Sequence, residues 1–254
     1  MAKQSKSRLD EMLVRRGLAD AVSTARAIIM SGDVIVDDQR IDKVGTLVDE
    51  NSKIRLRDEG RFVSRGGDKL MAAIEDFSLE NAFKNKTALD IGASTGGFTD
   101  CLLSLGAQHI VALDVGTAQL SWTLRQDSRV TSIEQMDLKS YTPHQSTNID
   151  WVVADLSFTS LAKMIPDIHR VAPRAELLLL IKPQFELPRD MIPDGGVVTN
   201  NEHRLRAVDS VREACVASGY SVVGTVDARV TGRQGNREVF IYCLPNQKDL
   251  TSSS

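Results

Sequence analysis

Hydrophobic residues in the first part of the chain recur at helical spacing. Leu9, Met12 and Leu13 lie at positions i, i+3 and i+4, so they share one face of a predicted helix. Gly17 can end that helix, because glycine readily adopts the left-handed conformation that closes a last turn. The pattern therefore predicts a short amphipathic helix at the start of the chain.

A second helix and two short strands complete this first segment. The helix would begin near residues 20–23 and end at residues 31–32, with its apolar positions facing inward. Residues 34–36 are a short apolar run, and residues 53–57 alternate between basic and apolar side chains, which favours strands. We therefore predict a small α+β domain over residues 7–57.

Beyond residue 68 the pattern changes to short buried runs separated by helical stretches. Such alternation predicts an open, doubly wound α/β sheet over residues 68–245. The first helix of this domain would begin at Lys69, and residues 58–67 would link it to the first domain. Phe62 in that linker is apolar enough to dock on a domain, and residues 246–254 have the composition of a disordered, solvated tail. The strands are predicted at residues 87–91, 109–114, 129–133, 149–155, 176–181, 221–226 and 237–242, and a long helix with Leu205, Val208, Val211 and Cys215 inside precedes the last two.

The composition is that of an ordinary globular protein and narrows the possible functions. Of the 254 residues, 42% are hydrophobic and 26% charged, and the net charge of −3 gives no global sign of a nucleic-acid partner. The three cysteines are scattered without metal-ligand spacing, so we expect no metal site. The longest apolar run, residues 177–181, is too short to span a bilayer, and the basic N-terminus is unlike a signal peptide. We therefore expect a cytoplasmic protein without a membrane partner.

A glycine-rich turn after the strand at residues 87–91 is the first candidate for ligand binding. Gly92 and Gly96 are four residues apart, so the turn lacks the G-x-G-x-x-G spacing of dinucleotide-binding proteins. An acid on the strand followed by G-x-x-x-G resembles the S-adenosylmethionine loop of methyltransferases, in which the two glycines would leave room for the methionine end of the cofactor. The alternative is a turn that binds no ligand. The residues assigned to the cofactor here are Asp90, Gly92, Ala93, Ser94, Gly96, Gly97 and Phe98.

Two further acids follow the next two strands. Asp114 ends the second strand, about twenty residues past the glycine turn, where an acid can accept hydrogen bonds from both ribose hydroxyls of an adenosine cofactor. Asp137 follows the third strand and is placed to meet the adenine amino group. The alternative for Asp137 is an aspartate that caps its own loop. These positions extend the predicted cofactor site along the sheet edge.

Lys69, Asp155, Lys182 and Glu238 lie at the ends of separate predicted elements. Lys182 leaves an apolar strand at the edge of the sheet where ligands bind, and lysine is rarely buried without a function. This order of lysine, aspartate, lysine and glutamate around a methyltransferase loop resembles the FtsJ-like ribose 2′-O-methyltransferases. The alternative is a surface ion-pair network. The segment at Asp155 lacks the [D/N]-P-P-[Y/F] and Pro-Cys motifs of base methyltransferases, which disfavours methylation of a base.

The first domain resembles the S4 RNA-binding domain in residues 8–17, 23–27 and 31–36. With both likenesses in this order over residues 5–245, the chain is identified as a member of the hemolysin A (TlyA) family of rRNA 2′-O-methyltransferases. The resemblance implies S-adenosylmethionine as cofactor and the ribose of ribosomal RNA, cytidine in the family, as substrate in ribosomal subunits. It also implies contacts between basic residues and the RNA backbone, although each could instead lie on a solvated charged face. The residues assigned to RNA are Lys6, Arg8, Arg15, Arg16, Arg26 and Arg65.

The implied chemistry would centre on Lys182, because a ribose hydroxyl is not ionised at neutral pH. The neighbouring ammonium of Lys69 and partial desolvation would help Lys182 to accept the proton, while Asp155 and Glu238 orient it. Lys182 could equally stabilise the developing oxyanion through a charge-assisted hydrogen bond. Two other functions stay open: a non-catalytic rRNA-binding assembly factor, and a hemolysin. The lack of a membrane-spanning or strongly amphipathic cationic segment disfavours the hemolysin.

Overall fold

A computed structural model describes residues 6–19, 21–37, 39–56, 61–117, 119–144, 147–230 and 235–246. The chain forms two compact units, Met1–Gly60 and Arg61–Ser254. Four predictions fall partly outside the described residues: the start of the second helix at Asp20, residue 57 of the strand that ends the first domain, residues 58–60 of the linker, and residues 247–254 of the tail.

Two helices form the core of the first unit, as the apolar spacing predicts. Helix α1 is Leu9–Arg15 and helix α2 is Val22–Ser31. The three residues of the predicted α1 face are fully buried, and they pack with Ala25 and Ile29 of α2. Gly32 has φ of 73° and ends α2, where a left-handed residue allows the last carbonyls to be capped.

Five short strands complete the first unit. Strand β1 (Lys6–Arg8) pairs with β4 (Leu47–Asp49), and β2 (Val34–Val36) lies between β3 (Gln39–Ile41) and β5 (Ile54–Leu56); every pairing is antiparallel. The sequence predicted β2 and β5 but missed the other three. All five have three residues, but β2 is wholly apolar and β5 lies in an alternating run, whereas the missed segments show neither pattern.

The second unit contains one seven-stranded sheet, which confirms the predicted doubly wound α/β class. Its strands are β6 (Thr87–Ile91), β7 (His109–Leu113), β8 (Val130–Ile133), β9 (Trp151–Ala154), β10 (Glu176–Ile181), β11 (Tyr220–Asp227) and β12 (Val239–Pro245). Their order is β11-β12-β10-β9-β6-β7-β8, with β12 antiparallel to both neighbours and β10, β9, β6, β7 and β8 paired in parallel. Parallel neighbours align their carboxyl ends, so the loops that follow them meet at one edge.

Helices cover both faces of this sheet. The helices are α3 (Arg65–Asp76), α4 (Gly97–Ser104), α5 (Trp122–Gln126), α6 (Leu161–Val171), α7 (Pro183–Glu186) and α8 (Asn201–Ala217), with a 3₁₀ turn at Arg189–Met191. Alternate strand residues face two separate cores: α3 and α4 pack on one, and α6 and α8 on the other. No helix in the described part of the chain is long and apolar enough to cross a membrane.

Two details differ from the sequence prediction. Helix α3 begins at Arg65, so the last three residues of the predicted linker are helical; the Ser64 hydroxyl accepts a hydrogen bond from the Gly66 amide at 3.3 Å and caps the first turn. Leu205 is 51% exposed, so it does not join the buried face of α8. Phe62 is buried in the second unit against Gly67, where a Cβ would overlap its ring.

Candidate active site

The carboxyl edge of the sheet brings together four of the predicted segments. Strands β6 and β9 pair as far as Ile91 and Ala154, and β10 and β12 pair as far as Ile181 and Val239. Each of these residues is next in the chain to a candidate site residue. The sheet register therefore places the glycine turn, Asp155, Lys182 and Glu238 along one edge.

The glycine turn between β6 and α4 is shaped by its own packing. Gly92 and Gly96 have φ of 78° and 96°, values that residues with a Cβ rarely adopt. A Cβ on Gly92 would lie 2.8 Å from the carbonyl oxygen of Asp155, and one on Gly96 would overlap Leu124. Protein atoms therefore surround both glycines, and this packing accounts for them without reference to a ligand.

A cavity of about 440 Å³ opens beside this turn, within the size range of small-molecule sites. Apolar residues such as Leu113, Met136 and Leu138 form part of its wall. The predicted cofactor and catalytic residues in the wall are Gly92, Ser94, Asp114, Asp137 and Asp155. The other residues of the predicted cofactor set do not line the cavity: Asp90 is on β6, Ala93 and Gly96 are in the turn, and Gly97 and Phe98 begin helix α4.

Asp114 and Asp137 each hold the backbone of a loop. Asp114 accepts hydrogen bonds from the amides of Ser94 at 2.8 Å and Gly116 at 2.7 Å. Asp137 accepts one from the Lys139 amide at 3.0 Å, so it does cap its own loop. A carboxylate has about four lone-pair sites, so each acid can accept further hydrogen bonds from a ligand in the cavity.

Asp90 is a fully buried acid beneath the glycine turn. Its Oδ2 accepts a hydrogen bond from the Thr99 hydroxyl at 2.6 Å, whereas its Oδ1 has no partner among the described residues. Burial raises the pKa of Asp90 to about 7, and the negative charges of Asp155 and Asp114 act in the same direction.

The four predicted catalytic residues form two ion pairs. Lys69 Nζ lies 2.5 Å from Glu238 Oε2, and these residues are only 8% and 3% exposed. Lys182 Nζ lies 2.7 Å from Asp155 Oδ1 and donates a hydrogen bond to the Ser157 hydroxyl at 2.9 Å. Because Glu238 binds Lys69, the charged partner of Lys182 is Asp155.

Three residues of this site were not found from the sequence: Ser157, Phe158 and Phe185. Phe158 is 92% exposed, has φ of 64° and lines the cavity. Its ring lies 5.4 Å from that of Phe185, and the Lys182 ammonium lies 5.9 Å from the Phe185 centroid. Both phenylalanines occur in the short segments that follow Asp155 and Lys182, but only the fold shows that these segments meet.

Several basic residues predicted to bind RNA have partners inside the first unit. Arg8 and Arg26 both bond the fully buried carboxylate of Asp10, at 2.7 Å and 2.9 Å. The hydrogen bond from Arg8 holds the pKa of Asp10 well below its usual range. Arg16 donates to the backbone oxygens of Glu50 at 2.6 Å and Ser52 at 2.8 Å, so it ties two segments together.

The remaining basic residues are more open to solvent. The side chain of Arg15 is 58% exposed and lies 3.5 Å from Glu50, a pair that contributes little. Lys6 is exposed on β1, and Arg65 is exposed at the start of α3 in the second unit. Among the predicted residues of the first unit, Arg15 and Lys6 are therefore those that can most readily contact a phosphate.

Comparison with known proteins finds relatives that match both units of the chain. The model of the FtsJ-like methyltransferases matches residues 62–245, and the model of the S4 domain matches residues 7–54. The 16S/23S rRNA (cytidine-2′-O)-methyltransferase TlyA of Mycobacterium tuberculosis is 40% identical over 253 residues, which cover 98% of this chain and 93% of the relative. Hemolysin A of Brachyspira hyodysenteriae is 35% identical over 240 residues, 93% of this chain and 99% of that protein. A solved structure from Streptococcus thermophilus, described as a candidate hemolysin, has a TM-score of 0.72 and 34% identity over 96% of this chain and 90% of that one.

Proposed function

We propose that the protein transfers a methyl group from S-adenosylmethionine to a ribose 2′-hydroxyl of ribosomal RNA. The premise is that the chain belongs to the TlyA family of FtsJ-like methyltransferases. The observation that carries this function is the Lys182–Asp155 pair, whose Asp155 lines the cavity beside the glycine turn. The Mycobacterium tuberculosis relative is named for cytidine in 16S and 23S rRNA, and we propose cytidine as the target here.

The cavity wall suits the cofactor. Asp114 has lone pairs left for the ribose hydroxyls of an adenosine, and Asp137 has lone pairs left for an adenine amino group. The buried acid Asp90 favours a cationic ligand, because a positive charge nearby would stabilise its ionised form. When bound, the cofactor supplies an electrophilic methyl group on its sulfonium. The protein's part is to fix that group and to bring the 2′-oxygen into line with it.

Lys182 acts on the 2′-oxygen. Its ammonium has three donors, and one of them is donated to the Ser157 hydroxyl. The Asp155 carboxylate lies 2.7 Å away as an ion pair and orients the ammonium. A remaining donor can bond the 2′-oxygen and stabilise the negative charge that develops on it as the hydroxyl proton passes to solvent water. This geometry favours the oxyanion-stabilising role of Lys182 over that of a general base.

The second ion pair lies next to the first. Ile181 pairs with Val239, so Lys182 and Glu238 directly adjoin the last pair of this ladder. The Lys69–Glu238 pair is nearly fully buried, and a buried pair holds its side chains in one arrangement. We assign these two residues to shaping the wall against which the ribose lies.

RNA binding would use both units. Phe158 presents an open aromatic face beside the cavity, and unpaired RNA bases stack on such faces. In the first unit, Lys6 and Arg15 offer exposed positive charge to phosphates, which positions a protein without reading sequence. The S4 domain would thus recruit ribosomal RNA while the second unit methylates it.

Methyl transfer to isolated ribosomal subunits tests this function. Subunits from a strain that lacks the gene should accept a labelled methyl group from S-adenosylmethionine, and alkaline hydrolysis should fail to cleave the RNA after the labelled nucleotide because its 2′-oxygen is blocked. The proposal fails if this protein binds the subunits but transfers no label and shows no cofactor binding in calorimetry. That result would indicate a non-catalytic assembly factor.

A further inference from the structure

The Lys182–Asp155 pair joins two segments that are not paired with each other in the sheet. Asp155 follows β9 and Lys182 follows β10, and the ladder between these strands ends at Ala154 and Leu179. The sheet fixes the two backbones separately, because the Asp155 amide donates to Ile91 of β6 at 3.1 Å and Ile181 pairs with Val239 of β12. Contacts between residues 155–160 and 182–186 can then set the 2.7 Å separation of the two side chains.

Glu186 makes the most extensive of these contacts. It ends the short helix α7, four residues after Lys182, and its carboxylate reaches the segment that follows Asp155. Its Oε2 accepts hydrogen bonds from the Ser160 hydroxyl at 2.7 Å and the Ala162 amide at 3.2 Å, and its Oε1 accepts one from the Leu161 amide at 2.6 Å. One carboxylate thus fixes the beginning of α6 to the end of α7.

Helix α6 does not need this carboxylate in order to begin. Ser160 is already its N-cap, with its hydroxyl accepting from the Lys163 amide at 3.4 Å. Glu186 is half-buried, and burial raises its pKa against the opposing effect of its hydrogen bonds. Withdrawing an acid from water is a costly way to add a second cap, so the contact between the two segments explains it better than helix stability does.

We propose that Glu186 is a positioning residue that sets the distance between Lys182 and Asp155 by tying the segment after β10 to the segment after β9. The inference rests on the proposed function, because it concerns the same catalytic pair. We call the hydrogen bonds of Glu186 with Ser160, Leu161 and Ala162 the Glu186 brace. The rings of Phe158 and Phe185, with centroids 5.4 Å apart, join the same two segments and depend on the same brace.

The test compares Glu186→Ala and Glu186→Gln with the wild-type protein at saturating S-adenosylmethionine. Asp150→Ala is the matched control, because Asp150 is a half-buried acid at the opposite end of β9 that accepts from the Thr87 amide at 2.9 Å and so joins two strands away from the site. We expect Glu186→Ala to lower kcat by about 10- to 100-fold with KM for ribosomal subunits changed less than about threefold, since small misplacements of reacting groups have effects of this size.

Glu186→Gln should stay within about threefold of the wild-type kcat, because its amide oxygen can accept from Leu161 and its amide N–H can donate to the Ser160 hydroxyl. It loses only the longest of the three bonds, the one from the Ala162 amide at 3.2 Å. Hydrogen exchange over residues 156–162 should be faster in Glu186→Ala and unchanged in Asp150→Ala. A kcat for Glu186→Ala equal to that of Asp150→Ala overturns the proposal. If the wild-type protein transfers no methyl group, the proposed function fails, and hydrogen exchange over residues 156–162 then tests the brace alone. Faster exchange in Glu186→Ala than in the wild-type protein supports the brace, and unchanged exchange overturns it.

Discussion

Lys69 Nζ lies 2.5 Å from Glu238 Oε2, although 169 residues separate the two in sequence. Helix α3 supplies the lysine, and the residue before β12 supplies the glutamate. The pair joins the first helix of the second unit to its last strand. The beginning and the end of the methyltransferase domain are thus linked at the edge of the sheet that carries the site.

Breaking this buried pair should destabilise the second unit more than replacing both partners. Lys69→Met leaves a buried carboxylate without its cation, and we expect the free energy of unfolding to fall by about 3 kcal/mol or more. The double variant Lys69→Met with Glu238→Met removes both charges and should recover most of that loss in urea titrations, while methyl transfer stays low. A double variant less stable than either single variant would contradict this view of the pair.

Asp90 should make stability depend on pH. Its pKa is raised to about 7 in the fold from 3.8, so the folded protein holds a proton that the unfolded chain releases between these values. The free energy of unfolding should therefore fall as the pH rises from 4 to 7, and this contribution should level off above pH 7. The full effect of such a shift is at most about 4 kcal/mol, since each pKa unit corresponds to 1.36 kcal/mol.

Asp90→Asn is the variant that checks this dependence. Denaturant titrations at several pH values should show a smaller slope between pH 4 and 7 than in the wild-type protein, and calorimetry should show weaker binding of S-adenosylmethionine. An unchanged slope would mean that Asp90 is not the group responsible.

Phe158 should contribute to RNA binding rather than to folding. Its ring is 92% exposed, so Phe158→Ala should leave the thermal midpoint unchanged. We expect KM for ribosomal subunits to rise by about 5- to 150-fold, because stacking on one aromatic residue contributes about 1–3 kcal/mol per base. Phe158→Trp keeps an aromatic face and should retain most of the affinity. Equal losses in both variants would argue against stacking.

Arg15 and Arg16 are adjacent but should behave differently. Arg15 is 58% exposed, so Arg15→Ala should weaken rRNA binding and reduce the slope of log affinity against log salt by about one, with little change in stability. Arg16 donates to two backbone oxygens, so Arg16→Ala should lower the thermal midpoint. Binding measured at three salt concentrations, with a melting curve for each variant, distinguishes the two roles. Identical behaviour would contradict the structural assignment of Arg16.

The sequence predicted the sheet of the second unit well, because its strands are continuous apolar runs between turn signals. Strands β6 and β10 begin and end at the predicted residues. Helix α6 was not predicted, and it contains Pro166, which weakens a helical pattern. The three missed strands of the first unit are neither apolar runs nor part of an alternating run, so they give no strand signal. The family assignment made from the motifs is confirmed by the comparisons.

The sequence predicted which residues form the site, but not which lysine forms an ion pair with which acid. Asp155 and Lys182 each follow a parallel strand, so the sequence could place them at one edge. Which acid pairs with which lysine depends on the packing of α3 against the start of β12, and no local pattern encodes that contact. The brace by Glu186 was missed for the same reason, since its partners are 24 to 26 residues away.

The central claim is that Lys182 stabilises the reacting 2′-oxygen. Its most direct test is single-turnover methyl transfer to ribosomal subunits by Lys182→Ala, with Lys86→Ala as the control. Lys86 also pairs with an aspartate, Asp150 at 3.4 Å, but at the opposite edge of the sheet. We predict that Lys182→Ala lowers the rate at saturating cofactor and RNA by at least about 100-fold, the effect of removing one charge-stabilising donor, while Lys86→Ala stays near the wild-type rate. A Lys182→Ala rate equal to that of Lys86→Ala would contradict the account.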